Sequence, residues 1–182
     1  MDELICALTT HAAPIEFTDT LEDALALVDY HKDKRIIFIS SASLGKDIIP
    51  KITANHVHVH SFYIFCGQIK HCLDWAMDYL DCLQMFDFEI DLLVRLARDI
   101  SKDIINQGKM YMMDLQDPTS ALRYFESART LEERANARDT LNHPFHEHLK
   151  MLNGEQNKTG LIAQAREMQQ QQLANVGATT VC

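Results

Sequence analysis

The stretch Lys34–Lys51, KRIIFISSASLGKDIIPK, constrains the fold more than any other part of the chain. Arg35 to Ser40 is a short β-branched and aromatic run, the composition of a strand buried on both faces of a parallel sheet. Ser40 to Ser43 breaks the run with small polar residues that can cap a helix, and Leu44 to Ile49 supplies the helix. A strand, a tight turn and a helix make half of a βαβ unit. Pro50 removes one backbone hydrogen bond, which predicts a short or kinked helix.

A turn of this kind is also a place for a ligand, because free backbone N–H groups at a helix start attract anions and Lys46 would add a positive charge. The candidate ligand residues are Ser40, Ser41, Ser43, Gly45 and Lys46. The stretch departs from a P-loop: the first glycine is missing, and Asp47 stands where a magnesium-binding hydroxyl is needed. The competing reading is a purely structural connection.

Around this unit the pattern alternates between strand and helix. Leu4, Ile5 and Leu8 have helical spacing, Ile15 to Phe17 reads as a minimal strand, and Thr18 to Thr20 with Glu22 or Asp23 behind them reads as a capped helix start. Leu21, Ala24, Leu25 and Val28 form the apolar face of that helix. Ser61 to Cys66, SFYIFC, is a second strand ended by Gly67. A helix is predicted over Gln68 to Asp81 through Ile69, Cys72, Leu73, Trp75, Ala76 and Leu80, and Cys82 to Met85 reads either as a last short strand or as a continuation of that helix.

From Asp87 the period becomes purely helical. Phe88, Leu92, Leu93, Leu96, Ile100 and Ile104 mark one stripe of a long helix expected to end near Gly108, with Asp91, Arg95 and Asp99 on its flank. After a turn at Leu115 to Pro118, Ala121, Leu122, Phe125, Ala128 and Leu131 make the stripe of a second helix, with Pro118 in its first turn. The pair resembles a tetratricopeptide hairpin through Gly108-x-x-Tyr111 and Ala121-x-x-x-Phe125-x-x-Ala128. The competing reading is a plain helical hairpin. One such repeat cannot bury its own face, so it must lean on the α/β part, on the final helices or on a partner; if on a partner, Tyr111, Leu122, Phe125 and Leu131 are the candidate binding residues. A short helix over Phe145 to Leu152, a turn at Asn153-Gly154 and a helix from Gly160 to Leu173 complete the pattern. The expected organisation is an α/β domain over 1–86, a helical region over 87–173 and a fraying tail over 174–182.

Composition narrows the function classes. With 182 residues, 47% hydrophobic and 24% charged, the chain has an ordinary globular make-up. A net charge of −9 argues against nonspecific nucleic-acid binding. No apolar run approaches a membrane span, and Met1-Asp-Glu lacks the basic start of a signal peptide. Five cysteines, with no C-x-x-C pair, favour free thiols and a cytoplasmic location.

Catalytic and metal signatures are weak. His56, His58 and His60 would share one strand face and could bind zinc, with a plain edge-strand or loop face as the competing reading. His143, His146 and His148 form a second cluster. There is no G-x-S-x-G elbow, and Cys66 sits at a strand end with no base nearby in sequence. No cofactor is implied.

Taken together, RIIFISSASLGKDIIPKI, SFYIFC, the Trp75 helix, CLQMFDFEIDLLVRLARDI and ALRYFESARTLEERANARD resemble a family of uncharacterised invertebrate multidomain proteins. In that family a receiver-like, flavodoxin-type parallel α/β domain is followed by helices, and some members carry tetratricopeptide repeats or an ADP-ribosyltransferase domain. The resemblance implies a truncated sheet here, because the family's first strand, which carries an aspartate, has no counterpart. The transferase pattern is also incomplete: Ser41-Ala-Ser43 fits its S-x-S element, but no E-x-E or Q-x-E follows. The expectation is a non-catalytic scaffold whose helical region docks a protein partner or a second copy. The alternatives are a nucleotide- or NAD-sensing, TIR-like domain using the Ser40–Lys46 turn, and a fragment of a larger transferase protein.

Overall fold

A computed structural model of the chain describes residues 3–12, 14–54, 59–139 and 147–179. It is mixed α/β and mostly helical, with a small parallel sheet. The chain divides into two compact units, one comprising Ile15–Leu92 and the other Met1–Pro14 with Leu93–Cys182.

In the first unit, helix α2 (Leu21–Tyr30) starts where the sequence places a cap: the Thr20 hydroxyl accepts from the Asp23 N–H. Strand β1 (Ile36–Ser41) leads directly into α3 (Ala42–Ala54), followed by β2 (Val59–Phe65) and β3 (Leu83–Phe86). The strands are parallel, in the order β1-β2-β3, with Phe38 opposite Phe62 and Ile39 opposite Tyr63 on one side and Tyr63 opposite Gln84 on the other. The central strand is therefore β2, not β1. Its Phe62, Tyr63 and Ile64 are all buried, whereas β1 is only half-buried and its Ile39 remains 46% exposed. An unbroken apolar run fits a strand at a sheet edge as well as one in the middle, and this one is at an edge.

Side chains of one sheet face, among them Phe62, Ile64 and Leu83, pack with Ala24, Val28, Ile48, Ile49, Ile52 and Ala76. Pro50 does not shorten α3, which continues to Ala54; the proline is exposed and the helix's apolar face is uninterrupted beneath it. Gly45 is where α3 approaches β2 most closely, since an added Cβ would lie 2.8 Å from Ile64 Cδ1. The helix expected over 68–81 is broken into a 3-10 turn (Ile69–His71), one α turn, α4 (Leu73–Ala76), and a second 3-10 turn (Met77–Tyr79). The i, i+3 spacing of its apolar residues serves both kinds of helix, so the sequence pattern does not separate them. Ile15 to Phe17 forms no strand, and Phe17 is 90% exposed.

The second unit contains α1 (Glu3–His11), most of α5 (Glu89–Met113), α6 (Pro118–Arg138), α7 (Glu147–Asn153), a small hairpin of β4 (Gly154–Glu155) and β5 (Lys158–Thr159), and α8 (Leu161–Thr179). The N-terminal helix thus belongs with the helices and not with the α/β part: α1 packs on α6, its Leu4, Ala7 and Leu8 are buried, and Glu3 pairs with Arg134 at 2.5 Å. Helix α5 runs past Gly108, because this glycine is a contact point and not a stop. A Cβ there would lie 2.5 Å from the Phe125 ring, so its absence lets α6 come close. Asp117 caps α6 by accepting from the Ser120 N–H at 3.0 Å, and Pro118 occupies the first turn as expected. Helix α8 continues beyond Leu173, where the tail was expected to fray.

Candidate functional site

The residues proposed to dock a partner through α6 are consumed by the unit's own core. Phe125 and Leu131 are fully buried. Phe125 packs among Ile105, Met112, Leu152, Leu161 and Ile162, with Tyr111 and Leu122 half-buried against the same cluster. Tyr111 stacks on Tyr124 at 5.1 Å between ring centroids, and the Tyr124 hydroxyl is held above its ordinary pKa by a hydrogen bond to Tyr111 and by burial. The hairpin that could not hide its own face is covered by α1, α7 and α8, all from the same chain. That stripe is not a docking surface.

Polar ties reinforce the closure. Arg98 on α5 donates to Asp139 at 2.7 Å and to Asn136 at 2.9 Å, and the buried Ser101 hydroxyl donates to the Ala128 carbonyl at 3.3 Å. His148, grouped by sequence with two other histidines, instead contacts the fully buried Glu132 through Nδ1 at 2.6 Å and fastens α7 to α6. His143 and His146 lie outside the described residues. So do His56 and His58, while His60 is an exposed β2 residue whose Nε2 contacts Arg35. Among the described residues no group of three histidine, cysteine or acidic side chains could hold a metal.

The predicted ligand turn is only partly brought together. Ser41 and Ser43 hydroxyls are 3.1 Å apart, and the Leu44 N–H reaches the Ser41 hydroxyl at 3.4 Å as a helix cap. The Ser40 hydroxyl donates to the Ser41 carbonyl. Gly45 is buried against Ile64 and serves helix packing, while Lys46 is exposed on the next turn of α3. Ser41 and Ser43 line an open depression of about 560 Å³ at the carboxyl ends of β1 and β2. Ala42, Phe65, Cys66, Gly67, Gln68, His71 and Cys72 form the rest of it, so no described lysine or arginine lines it. Burial, then neighbouring Cys72 and Asp87, pushes the Cys66 thiol up to about 11. At neutral pH it is protonated and a poor nucleophile. Cys82 is likewise raised, by burial and then Asp81.

The feature that sequence reasoning did not isolate is the outer edge of β1. The N–H groups of Phe62 and Cys66 donate to the carbonyls of Cys82, just before β3, and Phe86 in β3, at 2.8 Å each, so the intervening Tyr63 and Phe65 turn their backbone groups toward β1. With Ile39 opposite Tyr63, it is Phe38 and Ser40 that bond β2. The N–H and C=O groups of Ile37 and Ile39 then point away from the sheet, where no described strand pairs with them. Natural edges of this kind are usually blunted by lysine, proline or an inward charge. None occurs between Ile36 and Ser41. The absence of such residues was the sequence signal available.

No described helix is long and apolar enough to cross a membrane. Compared with known proteins, the chain matches no family model, no curated protein and no solved structure.

Proposed function

We propose that the chain is a non-catalytic protein-interaction module that associates with a second copy of itself through the free edge of β1. The observation that carries this reading is the pair of outward backbone groups at Ile37 and Ile39 on a strand with no lysine, proline or inward charge. Such an edge accepts an extended strand through main-chain hydrogen bonds.

A second copy fits because the edge is complementary to itself. A twofold axis through Phe38 sets Ile37 opposite Ile39 of the other copy, and Ile39 opposite Ile37. Both pairs are then of the hydrogen-bonded antiparallel kind, and the two Phe38 residues form the closer, non-bonded pair between them. The same register sets Arg35 against Ser41, so no like charges oppose each other.

Sedimentation equilibrium of the intact chain tests the reading. The expected result is a dimer that Ile39→Lys dissociates at least tenfold more readily while the far-UV circular dichroism stays unchanged. A monomer at a hundred micromolar, or a dimer indifferent to Ile39→Lys, overturns it.

A second reading, a nucleotide-sensing role, is favoured by the location of Ser41 and Ser43 at strand carboxyl ends, the usual ligand crevice of parallel sheets. It predicts that millimolar ATP or NAD raises the melting temperature. No shift removes it.

A further inference from the structure

We propose that the outer face of the segment from Leu73 to Leu80 is a docking site for a basic amphipathic helix of another protein. The segment coils from Ile69 through α4 and the 3-10 turn Met77–Tyr79 to Leu80, whose backbone is still helical at φ −56° and ψ −30°. Ala76, with Trp75 and Tyr79 beside it, packs into the core of the sheet unit. Leu73, Met77 and Leu80 do not. They recur at i, i+4 and i+7, the spacing of one helical row, and are 43%, 58% and 62% exposed. A row of this kind differs from the singly scattered apolar residues that a surface ordinarily carries, and the methionine at its centre adapts to the contour of a partner.

The charge beside the row indicates what covers it. Asp74, Asp78 and Asp81 follow the three apolar residues one position later, at the same spacing, and all three are exposed. None of them forms an ion pair with a described residue. From Cys72 to Met85 every charged residue is an aspartate. A helix that lays its apolar side chains on Leu73, Met77 and Leu80 and carries lysine or arginine along its flank meets all three carboxylates. Anionic lipid headgroups and nucleic-acid phosphates are repelled by them. The same face of a second copy, laid antiparallel about a twofold axis, sets aspartates against aspartates. The face lies on a different element from the β1 edge, so docking and self-association are separable.

Fluorescence anisotropy of a labelled model peptide tests the proposal on the intact chain. The probe is an amphipathic peptide of about 18 residues, leucines in one row and lysines along both flanks, long enough to form a helix. The expected result is saturable binding that Met77→Lys weakens by about tenfold or more. Asp78→Lys should weaken it by about threefold, the worth of one exposed ion pair. Asp114→Lys, the same charge change on the exposed turn after α5, and Ile39→Lys should leave it unchanged. Replacing the peptide's lysines by glutamates should abolish binding. No saturable binding, equal binding of the glutamate peptide, or a loss as large with Asp114→Lys as with Met77→Lys would overturn the proposal. So would a dimer that Met77→Lys dissociates, which gives the face to a second copy, or binding to phosphatidylserine vesicles that Met77→Lys removes, which gives it to a membrane. Unchanged far-UV circular dichroism of Met77→Lys and Asp78→Lys excludes misfolding as the cause of a loss.

Discussion

The helical unit and the sheet unit solve the same problem in opposite ways. In the helical unit the apolar stripe of α6 meets other helices: Phe125 sits in the gap left by Gly108, and α1, α7 and α8 pack on α6. In the sheet unit one face is packed by α2 and α3, but the sheet ends at β1 with the backbone groups of two residues paired by no described strand. A helix satisfies its own main chain and needs neighbours only for its side chains, whereas a strand needs a neighbour for both. The part that looked most in need of company in sequence is therefore the self-contained one.

The largest effect should appear where closure is tightest. Phe125→Ala is expected to cost about 3–5 kcal/mol in urea unfolding, the range for emptying an aromatic site in a core. If the variant kept its stability and lost association instead, the contrast between the units would reverse.

High pH should weaken the sheet unit next. The Cys66 thiol ionises near 9.0 when unfolded and near about 11 when folded. Stability from the neutral thiol is therefore whole below pH 9 and falls as pH rises toward 11, by about 2–3 kcal/mol at 1.36 kcal/mol per unit. Unfolding measured across that window should show the decline in the native chain and a flatter response in Cys66→Ser.

Gly45→Ala should follow, at about 1–3 kcal/mol, because the new methyl presses on Ile64 and the Ser40 hydroxyl and forces α3 away from β2. A neutral result would mean that α3 is not seated where its glycine indicates.

Much of this architecture was legible in the sequence. The Thr20 cap, the β1-to-α3 turn, the short β3 strand, and the Asp117 and Pro118 start of α6 all rest on local chemistry that a few neighbouring residues decide. What escaped depends on partners distant in the chain. Nothing local tells that Leu4 and Leu8 belong with α6, that RIIFIS borders the sheet instead of crossing its centre, or that Gly108 receives a ring and does not end a helix. His148 shows the same limit: beside His143 and His146 it suggested a metal, but its contact is Glu132, sixteen residues earlier. Of the proposed ligand turn, Ser41 and Ser43 reach the depression, while Gly45 and Lys46 are directed elsewhere by the helix that begins at Ala42.

Residue-resolved amide exchange as a function of protein concentration tests the edge of β1 most directly. The N–H groups of Phe38 and Ser40 should be protected at every concentration, because β2 holds them, while those of Ile37 and Ile39 exchange freely in dilute solution and slow at least tenfold as the chain is concentrated. Exchange at Ile37 and Ile39 that is equally fast at all concentrations would contradict the account.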